Sequence, residues 1–180
     1  MKKVLADLSP QEISHQSKVV AVKLFNLPAF KQASRISLFL SMKDEIDTTD
    51  ILSTSLGQGK QCFIPLYNKE SMKMVKITDM EDYRNLPLTK WNIKQPLEEE
   101  VREDALETGG LDLILVPGLA FTAKGDRCGR GKGYYDKFLN DCAQRQAKPP
   151  VTVALAFSQQ ILENVPTDSH DHVVDIVLVE

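Results

Sequence analysis

Residues 111–116 read LDLILV, a short run that is apolar on both sides. Pro117 and Gly118 stop this run, which is too short for a typical helix but suits a buried strand. A strand of this kind fits the centre of a parallel sheet, because helices cover both faces of such sheets. The run therefore predicts a central parallel strand and a chain in which strands and helices alternate.

The rest of the chain supplies that alternation. A helix is predicted from Ser9, the N-cap, up to Pro28, with Pro10 as the first helical residue and Glu12 completing a capping box. Further helices are predicted at 48–56 and 133–146, and strands at 36–40, 61–64, 72–77, 151–157 and 173–179. This order predicts an α/β sandwich with a mostly parallel sheet and right-handed crossovers. The region 79–110 is irregular, and long loops of this kind are often functional.

Length and charge restrict the function classes. A chain of 180 residues buries roughly 70% of its unfolded surface, which suits one domain over 1–180. The formal charge of −3 argues against a general nucleic-acid binder, and no run resembles a membrane span. Three cysteines without a C-x-x-C pair indicate free thiols. The N-terminus has no signal-peptide pattern, so we expect a cytoplasmic protein.

The glycines are concentrated after the central strand. Seven of the nine glycines lie within 109–133, and the segment 125–136 reads GDRCGRGKGYYD. Glycines allow backbone N–H groups to approach an anion, while Arg127, Arg130 and Lys132 neutralise it and the following helix contributes its positive end. This pattern predicts a phosphate-binding cradle. The alternative is a flexible basic hairpin, or a turn whose glycines serve only backbone geometry.

Two better-known phosphate motifs do not fit this spacing. A Walker loop needs G-x-x-x-x-G-K-[ST], but Asp126 stands at the first glycine position and Gly133 at the Ser/Thr position. A dinucleotide fingerprint should follow its strand at once, whereas the glycines 129, 131 and 133 begin well after Val116 and have the wrong third interval.

Two carboxylates are candidate magnesium ligands. Asp136 follows the cradle at the start of a helix, and Asp171 lies close to the predicted last strand. Mg²⁺ usually takes one or two carboxylates together with substrate phosphates. Asp136 is equally explained as a favourable acid in a first helical turn. His170 and His172 lack a third ligand nearby and are interpreted as surface residues rather than zinc ligands.

Other candidate residues are ambiguous on their own. Tyr134, Tyr135 and Trp91 could line a pocket for a planar ligand, or could simply be packing residues. Glu45 follows the first strand and would project from the same sheet end as the cradle, but without a known partner it is interpreted as an ordinary solvated acid.

Longer motifs resemble one enzyme family. VPGLAF at 116–121 followed by GDRCGRGKGYYD at 125–136 resembles the 5-formyltetrahydrofolate cyclo-ligase family, also called methenyltetrahydrofolate synthetases. FLSMKDE at 39–45, WNIKQP at 91–96 and the segment 171–180 resemble further parts of that family. The resemblance implies a single-domain, Rossmann-like three-layer α/β sandwich. It also implies ATP- and Mg²⁺-dependent closure of 5-formyltetrahydrofolate to 5,10-methenyltetrahydrofolate, with release of ADP and phosphate.

The resemblance also implies roles for individual residues. Contacts with ATP fall on the glycine-rich loop: Arg127, Cys128, Gly129, Arg130, Gly131, Lys132, Gly133, Tyr134 and Tyr135. Contacts with the folate fall on three segments: Leu40, Glu45, Trp91, Arg130, Gly131, Lys132, Gly133 and Tyr134. Asp136 and Asp171 would bind Mg²⁺, and Arg130, Lys132 and Glu45 would be catalytic. The expected partners are small molecules, with no nucleic acid, no membrane and no second subunit.

The chemistry requires these residue types. A formamide oxygen is a poor leaving group, so ATP phosphorylates it, nitrogen 10 attacks the activated carbon, and phosphate departs. Positioning and charge neutralisation dominate phosphoryl transfer, which suits Mg²⁺ and the Arg/Lys loop. Glu45 could orient the pterin or handle a proton.

Three positions depart from the family pattern. In the family pattern, a basic segment used for ATP precedes the position of Met1-Lys-Lys, and Lys2 and Lys3 are expected to substitute for it in part. Thr122 replaces an Asp, which costs a charge near the site, and Cys128 replaces a Leu. The alternative functions are a catalytically weak folate- or nucleotide-binding protein and an RNA-binding module, the latter disfavoured by the acidic charge.

Overall fold

A central sheet organises the chain in a computed structural model that describes residues 1–90, 92–167 and 171–180. Its strands are β1 (Arg35–Ser37), β2 (Gln61–Tyr67), β3 (Met72–Ile77), β4 (Leu113–Val116), β7 (Val151–Leu155) and β8 (Ile176–Leu178). Two further strands, β5 (Ala120–Phe121) and β6 (Arg127–Cys128), form a small antiparallel pair of their own.

The sheet is mostly parallel, as predicted. The strand order is β3-β2-β1-β4-β7-β8, and every neighbouring pair is parallel except β2 and β3. The predicted central strand is confirmed, because β4 lies between β1 and β7 and all of its residues are buried. The α/β fold class is therefore confirmed.

Several strands differ in length from the prediction. β1 ends at Ser37 and β7 at Leu155, although the apolar residues after both ends stay buried. β2 instead continues through Pro65 to Tyr67. The last hydrogen bond between β2 and β1 runs from the Leu38 N–H to the Phe63 carbonyl. The nitrogen of Pro65, two residues further along β2, therefore faces no partner strand, and a proline is tolerated there.

The helices are α1 (Lys2–Ala6), α2 (Pro10–Asn26), α3 (Pro28–Gln32), α4 (Thr49–Gly57), α5 (Met80–Asn85) and α6 (Tyr134–Arg145). The Ser9 hydroxyl accepts the Glu12 N–H as predicted. The Glu12 carboxylate accepts a hydrogen bond from the Gln16 side chain at 2.6 Å, so it serves the interior of α2. None of the helices in the described part of the chain is long and apolar enough to cross a membrane.

The strand order fixes where a ligand can bind. In the strand order, the strand that follows β1 in the chain, β2, lies next to it in one direction, and the strand of the sheet that follows β4, β7, lies next to it in the opposite direction. In open α/β sheets the crevice at such a reversal, beyond the carboxyl ends of the strands, is the usual binding site. The residues that follow β1 and β4 are therefore the ones to examine, namely 38–48 and 117–133.

Among the glycines, Gly125 is the one where an added side chain would come closest to main chain. Its φ is +97°, and an added Cβ would lie 2.1 Å from the carbonyl oxygen of Val174. We expect Gly125→Ala to lower the free energy of unfolding by roughly 3–5 kcal/mol, because it combines backbone strain with a clash against main chain. Urea denaturation followed by circular dichroism would measure this.

The matched control is Gly59→Ala. Gly59 also has a positive φ, +76°, but nothing lies within 4 Å of its added Cβ. This control should cost only about 1 kcal/mol, which is the strain of the left-handed conformation alone. Equal losses for the two variants would contradict the proposed clash.

Candidate active site

An ion pair joins the two loops beyond β1 and β4. The Arg130 guanidinium lies 3.0 Å from Asp44 Oδ1 and 3.3 Å from Glu45 Oε1. These groups are 85 or more residues apart in sequence, and the reversal of strand order brings them together. The predicted cradle and the predicted acid at the first strand are therefore in contact.

Glu45 is a buried acid rather than a solvated one. Its residue is only 7% exposed, and its Oε2 accepts the Met42 N–H at 2.9 Å. Burial raises the pKa of the Glu45 carboxyl above its usual value, an effect opposed by the Met42 hydrogen bond and the Arg130 charge. A carboxyl of this kind can hold or release a proton closer to neutral pH than a surface glutamate can.

The glycine-rich residues 129–133 follow the hairpin of β5 and β6 and do not form its turn. The β5 and β6 strands pair Ala120 with Cys128 and Phe121 with Arg127, and residues 130–133 after them are exposed. Gly131 and Gly133 have φ of +93° and +64°, and no atom lies within 4 Å of an added Cβ. The backbone there is left-handed and open on its outer side.

Helix α6 begins directly at the cradle. Its N-cap is Gly133, which has no side chain to cap the first N–H groups. Those donors and the positive end of the helix dipole are therefore available to an anion. Lys132 is exposed and makes no ion pair with any residue in the described ranges, so its ammonium is also available.

Arg127 differs from the other cradle cations because it is buried. It is 6% exposed, and its Nη2 donates to Asp136 Oδ1 at 2.6 Å. Asp136 Oδ1 also accepts the His172 backbone N–H at 3.3 Å. This contact brings the segment at 171–172 beside Asp136, so both predicted magnesium ligands lie in neighbouring segments, and Asp171 is half-buried.

The predicted aromatic residues have different environments. Tyr134 packs against Tyr67 with ring centroids 5.2 Å apart, and its hydroxyl donates to the Asn68 carbonyl. Tyr135 is buried, and its hydroxyl lies close to that of Tyr67, although the two do not meet the full geometric criteria for a hydrogen bond. Burial raises the pKa of both Tyr67 and Tyr135, so both phenols stay protonated at neutral pH.

The remaining predicted residues are simpler. Leu40 is buried at the end of the first strand segment, and Cys128 is half-buried in β6. Trp91 and His170 lie outside the described residues. The His172 ring is hydrogen-bonded to Asn140. Among the described residues there is no group of three or more His, Cys, Asp or Glu side chains placed to hold a metal.

Thr122 and the N-terminal lysines also have defined surroundings. The Thr122 hydroxyl donates to Asp126 Oδ2 at 2.7 Å and accepts the Asp126 N–H, which closes the turn between β5 and β6. Thr122 therefore has a role in shaping the hairpin. Lys2 and Lys3 are exposed on α1, which is anchored by the buried Leu5.

Two residues at this edge were missed by the sequence analysis. Tyr67 ends β2, which is parallel to β1, so it reaches the same edge of the sheet as Glu45. The buried Gln160 donates its side-chain amide to the carbonyls of Gly118 and Leu119 and so fixes the turn after β4. Tyr67 could have been inferred from its place after a predicted strand, but Gln160 carried no local signal.

Comparison with known proteins identifies the family. The model of the 5-formyltetrahydrofolate cyclo-ligase family matches residues 1–180. The chain is 49% identical to a mouse 5-formyltetrahydrofolate cyclo-ligase, with 100% of this chain and 90% of the mouse protein covered. It is 38% identical to a probable 5-formyltetrahydrofolate cyclo-ligase of Caenorhabditis elegans, covering 100% and 89%.

Solved structures agree with these relatives. The fold is similar to the Aquifex aeolicus 5,10-methenyltetrahydrofolate synthetase, with a TM-score of 0.77, 30% identity and coverage of 99% of this chain and 86% of that one. A Mycoplasma pneumoniae 5,10-methenyltetrahydrofolate synthetase gives a TM-score of 0.70 at 19% identity, over 98% and 92% of the chains, which supports the fold alone.

Proposed function

Because the chain belongs to the 5-formyltetrahydrofolate cyclo-ligase family, we propose that it uses ATP and Mg²⁺ to close 5-formyltetrahydrofolate to 5,10-methenyltetrahydrofolate. ADP and phosphate are the other products. The observation that carries the proposal is the Arg130 ion pair with Asp44 and Glu45, since it joins a phosphate cradle to a buried acid. Both substrates are small molecules and all the residues involved are on one chain, so we propose a monomeric enzyme.

The cradle would bind ATP. The loop of residues 127–135 would form the ATP site, and the open backbone at Gly131 and Gly133 and the N-terminus of α6 would face the phosphates. Arg130 and Lys132 would neutralise the charge that develops as the terminal phosphoryl group moves to the formyl oxygen. Lys132, which is exposed and forms no ion pair with the described residues, and the exposed edge of Arg130 support this role.

Mg²⁺ would bind to Asp136 and Asp171. The residues present fit a hard cation: Asp136 Oδ2 makes no hydrogen bond with the residues the structure describes, and carboxylate oxygens are the protein ligands that Mg²⁺ prefers. The cation would supply charge neutralisation between the phosphates. The protein's own contribution is to keep Asp136 fixed beside the first turn of α6.

The folate would lie between the cradle and the first loop. Leu40 would give apolar contact, Glu45 would face the formyl-bearing pterin, and Tyr134 would cover its ring, together with Trp91. Phosphorylation turns the formyl oxygen into a leaving group. Nitrogen 10 then attacks the carbon, the carbon–oxygen bond breaks, and phosphate leaves with that oxygen. Glu45 would orient the pterin or take up a proton during closure.

The test is the near-ultraviolet absorbance of the methenyl product. Purified protein is mixed with 5-formyltetrahydrofolate, ATP and Mg²⁺, and each component is left out in turn. We expect the product chromophore only when all three are present. Folded protein that binds 5-formyltetrahydrofolate without consuming ATP would instead support the weak-binder alternative, and salt-sensitive retention of RNA would support the RNA-binding one.

Replacing Glu45 with glutamine should separate activity from stability. We expect Glu45→Gln to lower kcat by about tenfold, because an amide replaces a charged hydrogen-bonding group. The same change should raise the melting temperature at pH 8. Since burial raises the pKa of Glu45 in the folded protein, the protonated carboxyl stabilises the fold more than the ionised one, and this difference in stability is lost as the pH rises through the folded pKa.

The stability gain should therefore disappear below about pH 4.5, the ordinary value for glutamate, where both proteins carry a neutral side chain. The control is Glu107→Gln. Glu107 is exposed, and its hydrogen bond with Arg145 lowers its carboxyl pKa, so this variant should show no gain at pH 8. Melting curves between pH 4 and pH 8 would measure both effects, and an unchanged or lower melting temperature for Glu45→Gln at pH 8 would contradict the burial argument.

A further inference from the structure

We propose that Arg127 is a positioning residue that holds the Asp136 carboxylate for metal binding, and that it does not bind the ATP phosphates itself. This inference rests on the proposed function, because it assigns a role within the same site. Of the three basic residues of the cradle, Arg127 would then act from beneath the loop, whereas Arg130 and Lys132 would act on its surface.

The first observation is the direction of the Arg127 side chain. Its side chain is only 5% exposed, against 31% for Arg130. Nη2 donates to Asp136 Oδ1 at 2.6 Å, and Nη1 donates to the Pro117 carbonyl at 3.4 Å. Nε is buried without a hydrogen bond to the residues that the structure describes. The guanidinium is thus enclosed by the protein and directed to a carboxylate.

The second observation is that the neighbouring glycines make room for this side chain. A Cβ on Gly129 would lie 2.9 Å from Arg127 Nη1, and a Cβ on Gly118 would lie 3.2 Å from Arg127 Cγ. Gly129 has no positive φ, so backbone geometry does not require a glycine there. At least one glycine of the loop therefore accommodates the buried arginine rather than a phosphate.

The third observation is how the two oxygens of Asp136 are used. Oδ1 accepts both the Arg127 guanidinium and the His172 N–H, whereas Oδ2 has no hydrogen bond with the residues described. Two donors on one oxygen fix the plane of the carboxylate and leave the other oxygen to a ligand. Partners of this kind orient metal ligands in many proteins, and their loss typically costs about 10- to 100-fold in metal affinity or activity.

The experiment compares ATP binding with and without metal. Titration calorimetry would measure ATP affinity in EDTA and in saturating Mg²⁺ for the wild type, Arg127→Met and Lys132→Met, with no folate present. We expect Arg127→Met to bind metal-free ATP within about twofold of the wild type but to lose most of the gain in affinity that Mg²⁺ provides. Lys132→Met should bind metal-free ATP about tenfold more weakly, since it loses a charged phosphate contact.

A double variant tests whether Arg127 acts through Asp136. In the Asp136→Asn background, Arg127→Met should cause no further loss of the Mg²⁺-dependent gain. Additive losses would overturn the proposal, as would a loss of metal-free ATP binding in Arg127→Met as large as that in Lys132→Met. If the wild type binds no ATP at all, the proposed function itself fails, which is a different outcome from either of these.

Arg127 is buried, so its loss could unfold the protein. Thermal melts would therefore precede each titration, and Arg127→Lys provides a second variant. Lysine keeps the charge but has no fork to span Asp136 and the Pro117 carbonyl. We expect it to restore part of the Mg²⁺-dependent gain while leaving metal-free binding unchanged. If Arg127→Lys lowered metal-free ATP affinity by about tenfold, Arg127 would be a phosphate ligand.

Discussion

Asp136→Asn is expected to lower kcat by about 100- to 1,000-fold, because one change removes the proposed ligand for Mg²⁺ and the fixed negative charge at the cradle. The side chain keeps its shape, but the amide cannot neutralise Arg127, which remains buried beside it. Breaking a buried ion pair by removing one partner typically costs about 3–5 kcal/mol, so a lower melting temperature is expected as well. Initial rates of methenyl product formation at 15 °C would measure the catalytic loss on folded protein.

The matched control for this change is Asp141→Asn. Asp141 is on the same helix, α6, but is exposed and away from the cradle. Its replacement should leave kcat within about twofold, as is usual for surface substitutions. If Asp136→Asn kept half of the wild-type turnover in saturating Mg²⁺, Asp136 would not be the metal ligand. The first-turn acid interpretation would then stand.

Arg130→Met is expected to lower kcat/KM by about 100- to 1,000-fold, because Arg130 is the one cradle cation that also contacts the loop after β1. The change removes a charge that would stabilise the transferred phosphoryl group. It also releases Asp44 and Glu45, so the folate side of the site loses its alignment with the ATP side. We expect both a lower kcat and a higher KM for 5-formyltetrahydrofolate in steady-state kinetics.

Two comparisons distinguish these effects. Arg130→Lys keeps the charge but cannot reach two carboxylates with a planar fork, so it should restore only part of the activity. Arg145→Met removes an arginine from the other end of α6, where it pairs with the exposed Glu107, and should leave kcat/KM unchanged. An Arg130→Met enzyme with normal KM and kcat would mean that the loop-to-loop ion pair has no part in catalysis.

The sheet could be predicted because its signals are local. Residues 111–116 are apolar on both sides, which by itself places them at the centre of a parallel sheet. The meeting of Glu45 with the cradle followed from the same logic, since both come after parallel strands. The motif at 125–136 is long enough to indicate the family, and the family in turn suggests roles for individual residues.

Other features depend on packing that no local pattern encodes. The sequence treats Arg127 and Arg130 alike, yet Arg127 is buried beside Asp136, whereas Arg130 is partly exposed beside Asp44 and Glu45. Arg127 lies in β6, and β5 and β6 are two-residue strands too short to give an alternating pattern that would mark a buried side. Gln160 was equally hidden, since a lone glutamine after a strand gives no sign that it binds carbonyls some 40 residues earlier.

The contacts made by residues 172–178 have a consequence for the order of folding. The His172 N–H binds Asp136, the Val174 N–H binds the Gly125 carbonyl, and β8 pairs with β7. During synthesis, every other strand of the sheet leaves the ribosome before this segment does. We therefore expect the nascent chain to remain inactive until β8 has joined the sheet, a step that the order of synthesis makes late.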